Sequence, residues 1–187
     1  MKIIIFFQRE YSLFLPMNEL ITSKFEENGL HSTAVYSHCK KYRYSLIRKH
    51  VKAKKYLLFV LLNPSTATEL KNDPTIARCQ KRTELLGYKA FIICNLFAFR
   101  TKSPKIMKDW PKPVGSKNNN IIQKNLIFAD KVLCAWGNHG TYLNQADIVV
   151  KIIKSMRIPA YHLGLTKSNQ PKHPLYITYD QKPIKWF

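Results

Sequence analysis

The clearest pattern along the chain is a repeated change of period, from unbroken apolar runs to stretches with helix signals. "YLLFVLL" (Tyr56 to Leu62) is apolar over a strand's length, the signature of a strand covered on both faces. "NDPTIARCQKRTELLGY" follows, with Asp73 at an N-cap, Pro74 at the first helical position, Ile76, Thr83 and Leu86 near one face, and Gly87 closing a helix. "KAFIICNLFAFR" gives a second buried strand ending at Asn95. Ser103 or Ser116 then opens short helices, the latter carrying Ile121, Ile122, Asn125, Leu126 and Ala129. "KVLCAW" is a third strand ended by Gly137, a helix runs from about Tyr142 to Met156, and "PAYHLGL" supplies a fourth short strand.

Strands alternating with crossover helices pair in parallel and carry helices on both sheet faces. The expected fold is therefore α/β, a three-layer α/β/α sandwich with a central, mainly parallel four-stranded sheet. Residues 34–187 form this single domain. Residues 1–33 read as an N-terminal extension packing on it, with a strand from Lys2 to Phe7 and a helix from Asn18 to Glu27 that Gly29 closes. Between them, "AVYSHCKKYRYSLIRKH" alternates apolar, aromatic and basic residues, with Arg43 between Tyr42 and Tyr44. Aromatic residues among cations can stack on bases and hold phosphates, and the same spacing also makes an edge strand with a basic, solvated side.

Composition changes this picture in one direction. The 187 residues contain 31 Lys and Arg against 11 Asp and Glu, a formal charge of +20. Such an excess supplies the salt-sensitive, sequence-independent part of nucleic-acid affinity, so DNA or RNA is the expected partner. Cys39, Cys79, Cys94 and Cys134 lie far apart, with no C-x-x-C and no H-E-x-x-H. Neither a zinc site nor a disulfide scaffold is indicated, and a reducing cytoplasm fits best. In "MKIIIFFQREYS" the apolar run ends at Gln8-Arg9-Glu10, too short for a signal peptide or membrane span, so no membrane association is expected. No cofactor and no obligate protein partner is evident.

Candidate chemistry gathers just after the core strands, where ligands bind in parallel α/β sheets. Asn63 offers amide donors and a carbonyl acceptor, Pro64 stiffens the turn, and Ser65 can bond a ligand oxygen. Asn95 can read a base edge, and Phe97 can stack on the ring. His173, beside Lys172, Pro174 and Tyr176, can stabilise charge on a leaving group, and His139 follows Gly137 in another such loop. Arg78 and Arg100 are placed to grip a phosphate at the same rim, as is Arg43. Asp73 could supply a carboxylate if its loop folds back, but its place before Pro74 is explained fully by capping, which is the favoured reading.

Six ordered segments, "AVYSHCKKYRYSLIR", "LLNPSTATELKNDPTIARC", "NLFAFRTKSP", "PVGSKNNNII", "AWGNHG" and "LGLTKSNQPKHPLY", together resemble a bacterial family catalogued as domain of unknown function 1643, over Ala34 to about Ile177. More distantly, motif type and order resemble the uracil-DNA glycosylase superfamily, which implies a uracil-DNA glycosylase-like fold with its site at strand ends. In that resemblance Asn63-Pro64 matches the pair that positions the attacking water, Asn95 the Asn that reads the pyrimidine, and His173-Pro174 the histidine motif near the base oxygen. The chain departs from the glycosylases at Leu61-Leu62, where a glycine usually opens the first motif, at Ser65, where a Gly or aromatic is common, and at Leu175, where Ser is usual. The first motif also lacks the water-activating Asp, and an amide cannot take a proton at neutral pH.

The expected activity is hydrolysis of the N-glycosidic bond of a modified or mismatched base flipped into a strand-end pocket. The alternatives are a non-catalytic DNA- or RNA-binding module, or a hydrolase of free nucleosides or nucleotides.

Overall fold

The computed structural model describes residues 20–187. The expected strand from Lys2 to Phe7 lies outside them. The strands are β1 (Leu20–Glu27), β2 (Leu30–Ser37), β3 (Arg43–His50), β4 (Tyr56–Leu61), β5 (Ala90–Asn95), β6 (Ala129–Cys134), β7 (Ala160–His162) and β8 (Ile184–Lys185). The helices are α1 (Pro74–Leu85), α2 (Pro104–Asp109), α3 (Asn118–Leu126) and α4 (Gln145–Ser155). All eight strands join one sheet in the order β1-β2-β3-β5-β4-β6-β7-β8.

This corrects the expected central, mainly parallel four-stranded sheet of a glycosylase-like three-layer sandwich. The sheet is twice as wide and mixed: β1–β2, β2–β3, β3–β5 and β7–β8 pair antiparallel, against parallel pairing of β4 with β5, β4 with β6, and β6 with β7. The expectation failed because residues 20–50 form strands that extend the sheet antiparallel. Where a helix was expected over Asn18 to Glu27, β1 instead faces the sheet with alternate residues, Ile21 opposite Tyr36, Ser23 opposite Ala34 and Phe25 opposite Ser32. The reversal at Asn28-Gly29 has φ of 49° and 76°. Two successive positive φ values are what a two-residue hairpin of the primed type requires, and Asn-Gly is the pair best suited to them. Gly29 therefore belongs to a hairpin loop rather than a helix end.

The period-2 alternation of β4 divides the core. Leu58 and Val60 pack with Ile92, Val132, Ile122, Leu126, Val149 and Ile153, so α3 and α4 cover that face. Leu57, Phe59 and Leu61 pack with Phe91, Ile93, Leu133, Ile76 and Cys79, which seats α1 on the other.

Helix starts follow local chemistry. The Asp73 side chain accepts the Ile76 N–H and caps α1, while Ser103 accepts the Ile106 N–H and caps α2. Ser116 does not cap α3, whose N-cap is Lys117. The helix expected from Tyr142 begins at Gln145, after 3-10 turns over Asn138–Asn144 that break at Tyr142 and Leu143. Beyond β7, Arg82 donates to the carbonyls of Gln181 (2.7 Å) and Thr178 (2.8 Å), and Arg78 to that of Ile177 (3.1 Å). These bonds fasten the C-terminal segment across α1. No helix among the described residues is long and apolar enough to cross a membrane.

Candidate functional site

The chain leaves β4 and β6 toward the same end of the sheet, since these strands are parallel neighbours. Segments following them converge with the Lys172-His173 segment on a cleft of about 920 Å³. That is the size range of small-ligand sites. Asn63, Ser65, Asp73, Trp136, His173 and Tyr176 are among its lining residues.

Two glycines shape the wall after β6. Gly137 has φ of 71°, and its N–H donates to the Pro171 carbonyl at 2.8 Å, tying this loop to the segment that carries His173. Gly140 lies so close to the indole of Trp136 that a Cβ there would collide with the ring. Trp136 is buried, and its Nε1–H donates to Gln170 Oε1 at 2.9 Å, so the wall it forms is fixed.

Asn63 is held in one orientation. Its Nδ2 donates to the Pro64 carbonyl at 3.1 Å and the Thr101 carbonyl at 2.7 Å. Both amide hydrogens are thereby used, leaving Oδ1 with no donor among the described residues and available to accept from a ligand or water. Buried Pro64 stiffens the turn beneath, and its carbonyl also accepts the Thr101 N–H at 2.9 Å. Ser65 is partly buried on the cleft wall.

The next turn brings a carboxylate in. Asp73 Oδ1 accepts the Ile76 N–H at 2.9 Å, and Oδ2 accepts the Ala67 N–H at 3.2 Å. The loop from Ala67 is clamped from below by two buried arginines of β3. Arg43 donates to the Ala67 carbonyl at 2.7 Å. Arg48 donates to the carbonyls of Thr68 (2.8 Å) and Glu69 (2.7 Å), to Asn72 Oδ1 (3.0 Å and 2.8 Å) and to the Ser32 hydroxyl. Charged donors to buried acceptors contribute about 1.5–3 kcal/mol each. Arg48→Met is therefore expected to destabilise the fold by about 3 kcal/mol in chemical denaturation and to increase amide exchange across residues 67–73.

His173 sits above Asp73 on the C-terminal segment. Its Nδ1 accepts the Leu175 N–H at 3.4 Å, which puts the proton of the neutral ring on Nε2. Burial holds its pKa below the ordinary histidine value, with Asp73 acting in the opposite direction. The imidazole is thus a neutral N–H donor at physiological pH. Tyr176, 81% exposed, has its ring centre 5.9 Å from that of His173 at the cleft mouth.

Other sequence candidates lie elsewhere. Phe97 is fully buried and packs on Tyr142, and Asn95 is 1% exposed; neither lines the cleft. Asn95 and Leu96 present their carbonyls to Asn118 Nδ2, both at 2.9 Å, so this corner is joined to α3. Arg43 is buried beneath the Ala67 loop, away from any rim where a phosphate could sit. Arg78 is committed to Ile177 and to the face of Tyr179, 4.9 Å from the ring centre. Arg100 donates to the Lys40 carbonyl at 3.1 Å and lines a groove beside the cleft, together with Lys102.

The sequence offers Asp73 as a site carboxylate only if its loop folds back, with capping the favoured reading, and it does not single out Lys102; both line the cleft. Among the described residues no group of three or more His, Cys, Asp or Glu could hold a metal. Burial raises the thiols of Cys79, Cys94 and Cys134, that of Cys94 to about 12, which makes all three poor nucleophiles.

The profile of the family described as protein of unknown function, DUF1643, matches residues 43–175, which includes Asn63, Asp73 and His173. No curated protein matches the chain. The chain belongs to the DUF1643 family.

Proposed function

We propose that in this member of the DUF1643 family the cleft hydrolyses the N-glycosidic bond of a nucleobase carried on a nucleic-acid strand. The observation that supports this most is the meeting of Asn63 and Asp73, from the two ends of the β4–α1 connection, with His173 of the C-terminal segment on one cleft of about 920 Å³. The three groups answer the separate needs of the reaction.

As the bond from the sugar C1′ to the base nitrogen breaks, its electron pair leaves with the base and the sugar gains oxocarbenium character. The His173 Nε2–H donates to the base oxygen on which negative charge develops. The Asp73 carboxylate stabilises the cationic sugar. Asn63 Oδ1 accepts one hydrogen of a water whose oxygen forms the new bond to C1′, and Asp73 takes that water's other proton. The proton then passes to the departed base through solvent. An amide alone could orient this water but not deprotonate it, so the carboxylate supplies what the Asn-Pro motif lacks.

The likeness of Asn63-Pro64 and His173-Pro174 to the first and last glycosylase motifs agrees with these roles. The reading rests on the site and not on a shared fold. Tyr176, exposed at the cleft mouth, offers aromatic surface for a base, in place of the buried Phe97.

The test is incubation with labelled single- and double-stranded oligonucleotides carrying uracil, mismatched thymine or modified bases, then alkali to cut abasic sites, with free nucleosides in parallel. The expected result is strand cleavage by the native protein, abolished in Asn63→Ala. If the bases stay attached in every strand, whether or not free nucleosides are hydrolysed, the proposal is wrong.

A further inference from the structure

Beside the cleft, and sharing with it Ser65, Thr66, Thr101 and Lys102, runs a second groove of about 490 Å³. The shared wall is rigid because the Thr101 N–H donates to the Pro64 carbonyl at 2.9 Å, while the Thr101 carbonyl accepts from Asn63. The wall between groove and cleft is therefore tied to Asn63, the residue that would orient water.

Its far side holds an aromatic platform. Trp110 stacks on Phe99 with ring centres 4.3 Å apart and planes within 8°. The indole is fixed in plane by its Nε1–H donating to the Tyr42 hydroxyl at 2.9 Å. Phe99 fills one face of Trp110, and Lys41 Nζ lies over the ring, 5.1 Å from its centre. That lysine is exposed and can be displaced by a flat ligand. Lys40, Lys41, Arg100 and Lys102 line the groove, and no Asp or Glu does.

An aromatic plane with an exposed cation over its open face, in a groove lined by positive charge, matches the chemistry of an unpaired nucleotide: a stacking base and an adjacent phosphate. A base inside a duplex already has neighbours on both faces and gains nothing from Trp110. We propose that this groove holds the nucleotide flanking the target base, so that the substrate is a single-stranded polynucleotide whose chain passes over the Thr101-Lys102 wall. This rests on the proposed hydrolysis for the base that enters the cleft, but binding in the groove is measurable without it.

The experiment is fluorescence anisotropy with labelled oligothymidylate and oligouridylate of about 12 nucleotides, and a duplex of equal length, across about 50 to 200 mM salt. Single strands are expected to bind more tightly than duplex, with the two homopolymers separating DNA from RNA preference. Trp110→Leu should weaken single-strand binding about tenfold with little change in salt slope. Lys40→Gln with Lys41→Gln should reduce that slope by about 1.4, at roughly 0.7 per phosphate contact on a single strand. Both lysines are exposed, so this pair decides the matter even if Trp110→Leu fails to fold. Native affinity and slope in the lysine pair, or duplex binding as tight as single-strand binding, would overturn the proposal. Base release is a separate readout: loss of the groove leaves nucleoside hydrolysis to be scored alone, and absence of hydrolysis leaves the binding result standing.

Discussion

Asp73→Asn is expected to lower the rate of base release by about 10²–10⁴-fold, the range general acid–base groups contribute, while leaving the protein folded. The substitution separates the two duties of this residue. Asn is as good an N-cap as Asp, so the bond to the Ile76 N–H at the start of α1 survives. The second oxygen becomes an amide, and the Ala67 N–H loses its acceptor. That orphaned donor costs about 1–3 kcal/mol, visible in chemical denaturation and well short of unfolding a domain of this size. Asn cannot accept the proton of the attacking water or carry the negative charge that stabilises the sugar cation. Single-turnover release at saturating substrate isolates the chemical step from binding. A rate within a few-fold of native would confine Asp73 to its structural role and leave the cleft without a base.

Why Asp73 was legible firmly as a cap and only conditionally as a site carboxylate is a matter of distance along the chain. Capping is a local relation, decided by Asp73, Pro74 and Ile76. Meeting His173 depends on contacts that no local pattern encodes: Arg43 and Arg48 beneath the Ala67 loop, and Arg78 and Arg82 holding the C-terminal segment over α1. In sequence Arg43 and Arg78 read as phosphate ligands or solvated charge. In the fold Arg43, Arg48 and Arg82 are almost wholly buried, and each donates to at least one backbone carbonyl of a distant segment. Asn95 and Phe97 show the converse. Their position just after a core strand was read as the mouth of a site, whereas both turn into the interior.

The buried strands were readable because an unbroken apolar run of strand length, as in β4 and β5, must be covered on both faces to escape water. Sheet width was not. β1 and β2 have one face less covered and a mixed composition, so Leu20–Glu27 passed for a helix although Asn28-Gly29 carried a hairpin signal. The +20 charge indicated a polyanion, but not where it binds. The groove comes from Lys40, Lys41, Arg100 and Lys102 being brought to one wall by separate chain segments, with Trp110 supplied from α2's end.

His173→Ala is expected to slow base release by about 10²–10³-fold, the loss seen when one donor to a developing anion is removed, with substrate affinity changed far less. The accompanying pH profile tests the state of the ring. Burial depresses the His173 pKa, so the neutral form persists from neutral pH down to below the ordinary value near 6.5. Protonation then adds a hydrogen to Nδ1, where it meets the Leu175 N–H and replaces an attraction with a clash of donors. The turn after His173 loses its cap, and Nε2 is no longer directed into the cleft. Because the folded pKa lies below the unfolded one, the stability this arrangement gives is present above the unfolded pKa and lost as pH falls through the folded one. Activity should follow, level from neutrality down to slightly acid pH and falling once His173 protonates. Asp73, Lys102, Lys172 and His139 share the cleft, and Asp73 favours the imidazolium. Asp73→Asn should therefore move the acid limb to lower pH in whatever activity remains. A limb that stays in place in that variant, or that persists in His173→Ala, would assign the titration to another group and remove His173 from the reaction.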